Sequence, residues 1–224
     1  MKKIFIFILS IVLNMAVYAQ EDKTITIVGQ LKNLDISSDQ AVKNYLLDQH
    51  YKVNLVNQDV DPHHLPPTDL VIISSSVSAK DLKSGWRQLQ IPLMTWENDY
   101  LDDLVMTGKR IHQDFGEVEK EPYLWLVNQP HPLSAHLNAG ITNVYNKQAP
   151  MSWGHPGLGA TIIATVYGQP EKVAIWGYEK GSTMDYETLA PQKRLMFFLG
   201  NDTFTNLSVD GKKLFQASID WLLH

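Results

Sequence analysis

The apolar positions fall into short runs separated by helical patterns. Thr24-Ile-Thr-Ile-Val28 alternates β-branched residues and stops at Gly29, which predicts a buried strand. Ser37-Ser-Asp39 offers N-caps, and Ala41, Val42, Tyr45, Leu46 and Leu47 follow at helical spacing. Tyr51 to Val56 reads as a second strand. The proline-rich stretch from Asp59 to Thr68 reads as a loop. Asp69-Leu-Val-Ile-Ile73 is a third strand, apolar enough to be covered on both faces. A helix over Ala79–Leu89 and a strand over Ile91–Trp96 come next, then a helix start or tight turn at Asp99–Leu104.

The second half is less regular. Strands are expected at 123–127, 141–145, 161–166, 172–176 and 193–199. His131–Leu137 reads as a turn into a short helical piece, and 150–159 as a Gly/Pro-rich loop. Leu214, Phe215, Ile219, Trp221 and Leu222 form the apolar face of a closing helix over Ser208–Leu223. Strands alternating with helices imply βαβ units and a mainly parallel sheet.

The N-terminus has a different pattern. Lys2 and Lys3 precede an apolar run from Ile4 to Tyr18, and Val17-Tyr-Ala19 places small residues before Gln20. This predicts a signal peptide over residues 1–19, with an α/β domain over 20–224 and a secreted or periplasmic bacterial location. The apolar run is shorter than the roughly 20 residues of a membrane span. Cleavage removes 2 of the 19 basic residues and none of the 24 acidic ones, moving the net charge from −5 to −7. An acidic surface argues against nucleic acid as a partner. The chain has no cysteine, which excludes disulfides, a thiolate nucleophile and Cys-ligated metal.

The segments Asp69–Ser78, Ile91–Glu97 with Tyr100–Asp103, His131-Pro-Leu133, and the closing Phe197-Phe198, Asp210-Gly211, Leu214-Phe215 and Asp220-Trp221 resemble class I glutamine amidotransferase-like domains of exported bacterial proteins, related to the ThuA-like group. The resemblance lies in the order of elements across nearly the whole mature chain. It implies a flavodoxin-like, doubly wound α/β domain, in a setting of carbohydrate-active modules and polysaccharide degradation. The family's enzymes use a cysteine on a strand-to-helix elbow and a late His-x-Glu pair. Here the elbow reads Thr95-Trp-Glu-Asn-Asp99. The late segment Gly177-Tyr-Glu-Lys-Gly181 keeps a carboxylate at Glu179 and no histidine. Thioester-based glutamine hydrolysis is therefore not expected.

In a doubly wound sheet, ligands bind beyond the carboxyl ends of the strands. Gly29, Gln30, Ser74, Ser75, Ser76 and Glu97 should line that crevice. The serines suit sugar hydroxyls or an anion, and equally suit strand-end and helix-start groups. Glu97 suits a base, a nucleophile towards a sugar, a metal ligand, or an acceptor for N–H groups at a helix start. Glu97 with Glu179 is one candidate hydrolytic pair; Asp102 and Asp103 offer others. Trp153 and His155, in Trp-Gly-His-Pro-Gly157, suit a sugar-stacking loop or a rigid turn. His131 either orients the site or caps its turn. His63-His64 with Asp59 and Asp61 lacks the spacing of a metal site, and no metal or cofactor is expected. Neither G-x-S-x-G nor G-x-G-x-x-G occurs. The leading expectation is a domain that binds a carbohydrate or small polar ligand without glutaminase activity. The rivals are a sugar-processing hydrolase using Glu97 as base or nucleophile, and a structural partner in the cell envelope.

Overall fold

The computed structural model describes residues 23–32 and 36–224. The signal peptide expected over 1–19 lies outside them. Among the described residues, no helix is long and apolar enough to cross a membrane.

The first half follows the predicted pattern. β1 (Thr24–Gly29), β2 (Lys52–Asn57), β3 (Leu70–Ile73) and β4 (Leu93–Thr95) form a parallel sheet in the order 2-1-3-4. β11 (Arg194–Met196) adds to β4, also parallel. The sheet then becomes antiparallel through β10 (Gln169–Tyr178), β9 (Thr161–Val166), β6 (Tyr123–Leu126) and β7 (Gly140–Asn143). β5 (Phe115–Val118) and β8 (Met151–Gly154) pair with each other, and β8 touches β10. The result is a flavodoxin-like α/β domain with a mixed sheet.

Strand periodicity sorts the core into two faces. Ile25, Ile27, Leu70, Ile72, Met94 and Leu195 face one side, and Val28, Val71, Ile73, Leu93 and Met196 face the other. The first side is covered by α1 (Ser37–Asp48) and α2 (Val209–Leu223). These helices meet through Tyr45 and Phe215, whose rings are 5.7 Å apart, edge to face. Ser208 caps α2 by accepting a hydrogen bond from Gly211 N–H at 3.0 Å. Ile36, rather than a serine or Asp39, occupies the N-cap position of α1, and its side chain makes no cap.

The second side is covered without an α-helix. The helix expected over Ala79–Leu89 is two 3-10 turns, Ala79–Asp81 and Trp86–Gln88. Gly85 between them has φ +112° and packs against Pro62 and His63, which stops helix propagation. Trp86 is driven inward with Tyr100, Leu101 and Leu104. The stretch read as a loop over 150–159 contains β8, and β5 had no predicted counterpart. The strand expected over 193–199 is only three residues long, and His131–Leu137 forms a 3-10 turn at Pro132–Ser134. There Ala135 and His136 both have positive φ, so no helix continues.

Arg194 is wholly buried in β11. Its guanidinium donates to the carbonyls of Leu89 (2.5 Å), Ile91 (3.0 Å), Gln192 (3.3 Å) and Lys193 (3.0 Å). Burial pushes its pKa down to about 10, still well above neutral pH. It thus gathers the loop carbonyls that enter β4 and β11. Arg194→Met keeps the volume but orphans these acceptors. The expected cost is roughly 2–4 kcal/mol, read from urea denaturation.

Candidate functional site

The carboxyl ends of β1, β3 and β4 converge as a doubly wound sheet requires. Their geometry divides the serine run. Asp39, in the first turn of α1, is 1% exposed and accepts hydrogen bonds from Ser74 Oγ (2.5 Å) and Ser76 Oγ (2.6 Å). Ser74 Oγ also accepts from Ser76 N–H, and Ser76 Oγ from Gln30 N–H, at 3.2 and 3.1 Å. Gly29 permits this closure, since a Cβ there would sit 2.3 Å from Asp39 Oδ2. Burial raises the Asp39 pKa, while the two serine bonds pull it down. Ser74 and Ser76 are thus engaged in this network, and neither lines the cleft that holds Ser75.

Ser75 faces the opposite way. It is 7% exposed, lines a cleft of about 520 Å³, and its hydroxyl has no hydrogen-bond partner among the described residues. Glu97 lines the same cleft and is also 7% exposed. Thr95 Oγ1 sets its position, donating to Ile73 O and accepting from Glu97 N–H, each at 3.0 Å. This turns the chain sharply after β4, so that Trp96 enters the helix-covered core and Glu97 the cleft. Glu97 Oε1 accepts from Asp99 N–H at 3.0 Å, capping the 3-10 turn Asn98–Tyr100. Burial pushes the Glu97 pKa up to about 8; the Asp99 N–H opposes this, and the charges of Asp99 and Glu117 add to it.

The cleft is completed by residues that the sequence pattern did not single out. Glu117 comes from β5, Asn201 follows β11, Lys80 lies in the 3-10 turn Ala79–Asp81, and His112 comes from a loop. Desolvation raises the Glu117 pKa, with Asp99 adding to it. Glu117 and Asn201 also line an adjoining cleft of about 340 Å³ with Gln148, Asp202, Thr203 and Asn206. Glu117 lies on the unforeseen strand, and Asn201 carries no motif. Asp39 was legible only as a helix-start acid.

Other expected members fall elsewhere. Tyr178 is level with Arg194, and Arg194 with Leu93. Glu179 thus follows the end of β10 beside the start of β4, whereas Glu97 follows the end of β4. At about 3.3 Å per residue, roughly 16 Å of strand separates their levels, beyond the ~5–10 Å of a hydrolytic carboxyl pair. The Glu97–Glu179 pair is thereby corrected, because β10 runs antiparallel to β11. Glu179 instead lies 3.9 Å from Lys193 Nζ. Trp153 is 4% exposed and packed in the core, so it is no open sugar platform. His155 is exposed, packs against the Trp153 ring and does not line the Glu97 cleft. Asp102 and Asp103 do not line it either. His131 caps its turn, its Nδ1 accepting from Leu133 N–H at 3.2 Å. His64 and the His63 N–H both engage Asp61 locally. Among the described residues, no group of three or more His, Asp or Glu is arranged to hold a metal ion.

No family profile matches the chain, and neither does any curated protein. Among solved structures, the chain is similar to a Thermoplasma acidophilum protein described as part of GMP synthase. The identity is 13%, the TM-score 0.49, and the match covers 89% of this chain and 94% of that one. So distant a likeness concerns the course of the chain and carries no chemistry.

Glu97 has a consequence for stability. Between about 4.5, its ordinary value, and about 8, the folded state holds a proton that the unfolded state has lost. Stability therefore falls as pH rises through that window. Glu97→Gln keeps the acceptor for Asp99 N–H and removes the ionisation. Its melting temperature should exceed the parent's by roughly 5 °C or more at pH 8.5, the gap closing below pH 5, in paired thermal melts.

Proposed function

We propose that this chain is an exported, amidotransferase-like domain without glutaminase activity, whose Glu97 cleft binds a small hydroxyl-bearing ligand, a carbohydrate in a polysaccharide-utilisation setting. The observation that carries this reading is that Glu97 and Ser75, whose buried hydroxyl has no partner among the described residues, line one open cleft at the carboxyl edge of the sheet. The side chains of Ser75, Asn98, Glu117 and Asn201 offer the mixed donors and acceptors that sugar hydroxyls require. The chain has no cysteine, so the thioester route has no nucleophile. An open cleft favours a ligand over a purely structural role in the envelope.

A second reading is supported by the raised pKa values of Glu97 and Glu117. A carboxyl held up to about 8 is protonated at neutral pH. A sugar-processing reaction would then use Glu97 as general acid rather than as base or nucleophile, with Glu117 as the second carboxyl.

Calorimetric titration with neutral monosaccharides and disaccharides tests both readings. At least one should bind, and Ser75→Ala should weaken it about five-fold, the worth of one modest hydrogen bond. Binding without turnover supports the first reading. Turnover abolished in Glu97→Gln with affinity kept supports the second. No binding by any sugar overturns both.

A further inference from the structure

The antiparallel end of the sheet carries an apolar face that the Glu97 cleft does not use. β6 alternates in and out: Leu124 and Leu126 enter the helix-covered core, while Tyr123 and Trp125 point the other way, 39% and 45% exposed. Register extends this face to both neighbouring strands. Ile141 of β7 lies opposite Trp125 and is 57% exposed. Tyr167, just past β9, is 40% exposed, with its ring centroid 6.1 Å from that of Tyr123 and 6.4 Å from that of Trp125. Val127 continues the alternation of β6 and is half exposed. The facing residues, Asn143 opposite Tyr123 and Thr165 opposite Trp125, are uncharged as well.

Three features decide what would cover this face. The free edge of β7 is closed at one end: Ser208 Oγ donates to Asn143 O at 2.7 Å and Ser208 N–H to Val144 O at 2.9 Å. A partner therefore comes face-on rather than as an added strand. The rings are not a row of flat plates for sugar units. Trp125 and Tyr167 are within 22° of parallel, but Tyr123 meets Tyr167 at 74°, and Ile141 and Val127 complete an aliphatic–aromatic surface like the inner face of a packed sheet. Area and charge then favour a second copy. The exposed parts of these five residues come to on the order of 500 Å², the upper range for a patch on a monomer. Two such faces laid together bury roughly 1,000 Å², the threshold of a specific interface. Copies of a chain with a net charge of −5 repel one another, and a face without charged residues lets them approach.

We infer that this face pairs with the same face of a second copy across a two-fold axis, sheet on sheet, in a reversible dimer. A two-fold contact lets one patch cover its own counterpart and closes at two chains. The face is independent of the ligand site, since none of its five residues lines the Glu97 cleft.

Sedimentation velocity of the form beginning at Gln20 tests this. Between about 1 and 200 µM the average mass should rise from one chain towards two, as expected of an interface near the size threshold. Trp125→Asp should weaken association at least about ten-fold, the worth of a central aromatic anchor. Ile141→Asp, on a different strand, should do the same, whereas Leu158→Asp, at a fully exposed position outside the face, should leave association unchanged. Should the first two variants fold poorly, amide exchange of the parent reads the same contact: residues 123–127 and 141–143 should exchange more slowly at the higher concentration. A parent that stays monomeric throughout, or a dimer that survives both substitutions in the face, overturns the inference. A monomer in which a soluble polysaccharide protects residues 123–127 overturns it too, and gives the face to a glycan.

Discussion

One carboxylate ties the first helix to the end of the sheet. Asp39 leaves the first turn of α1 and receives the hydroxyls of Ser74 and Ser76 at the end of β3, over the space left by Gly29 at the end of β1. An acid in the first helical turn also meets the favourable end of the helix dipole. The tie links three elements at the edge where such sheets bind ligands. It also settles the orientation of Ser75, since its two neighbours point to Asp39. The cleft hydroxyl is therefore a product of the structural network beside it.

The elbow after β4 works by a related logic. Thr95 satisfies backbone groups on both sides of the turn, and Trp96 anchors it in the core. Glu97 is then held in a desolvated position with one N–H donor, beside two other acids. Stability alone would not favour that placement, because ionising a buried carboxyl is costly. A perturbed carboxyl in a cleft at the ligand-binding edge of such a sheet is a common feature of functional sites.

The parallel half of the fold was readable because β1, β3 and α2 announce themselves by period and by caps. The elbow and the serine run were placed correctly at the carboxyl edge for the same reason. The division of labour within the run was not readable. It depends on Asp39, 35 residues before Ser74, reaching a strand end through tertiary packing. β5 was missed because Phe-Gly-Glu-Val is short and gains its order from β8, which itself lies in a stretch that reads as loop. Glu117 was missed with it. Glu179 was misplaced because the direction of β10 is set by its antiparallel pairing with β11, which no local pattern encodes. Trp153 illustrates the usual ambiguity of an aromatic beside glycines: packing, not ligand contact, accounts for it.

The central claim is that Glu97 is a desolvated, neutral carboxyl waiting in an acidic cleft. Carbon-detected NMR titration of the Glu97 side-chain carboxyl reads this directly. The account predicts a midpoint near 8 in the free protein. A midpoint near the ordinary 4.5 would mean that the group is solvated and ionised at neutral pH, and would contradict it.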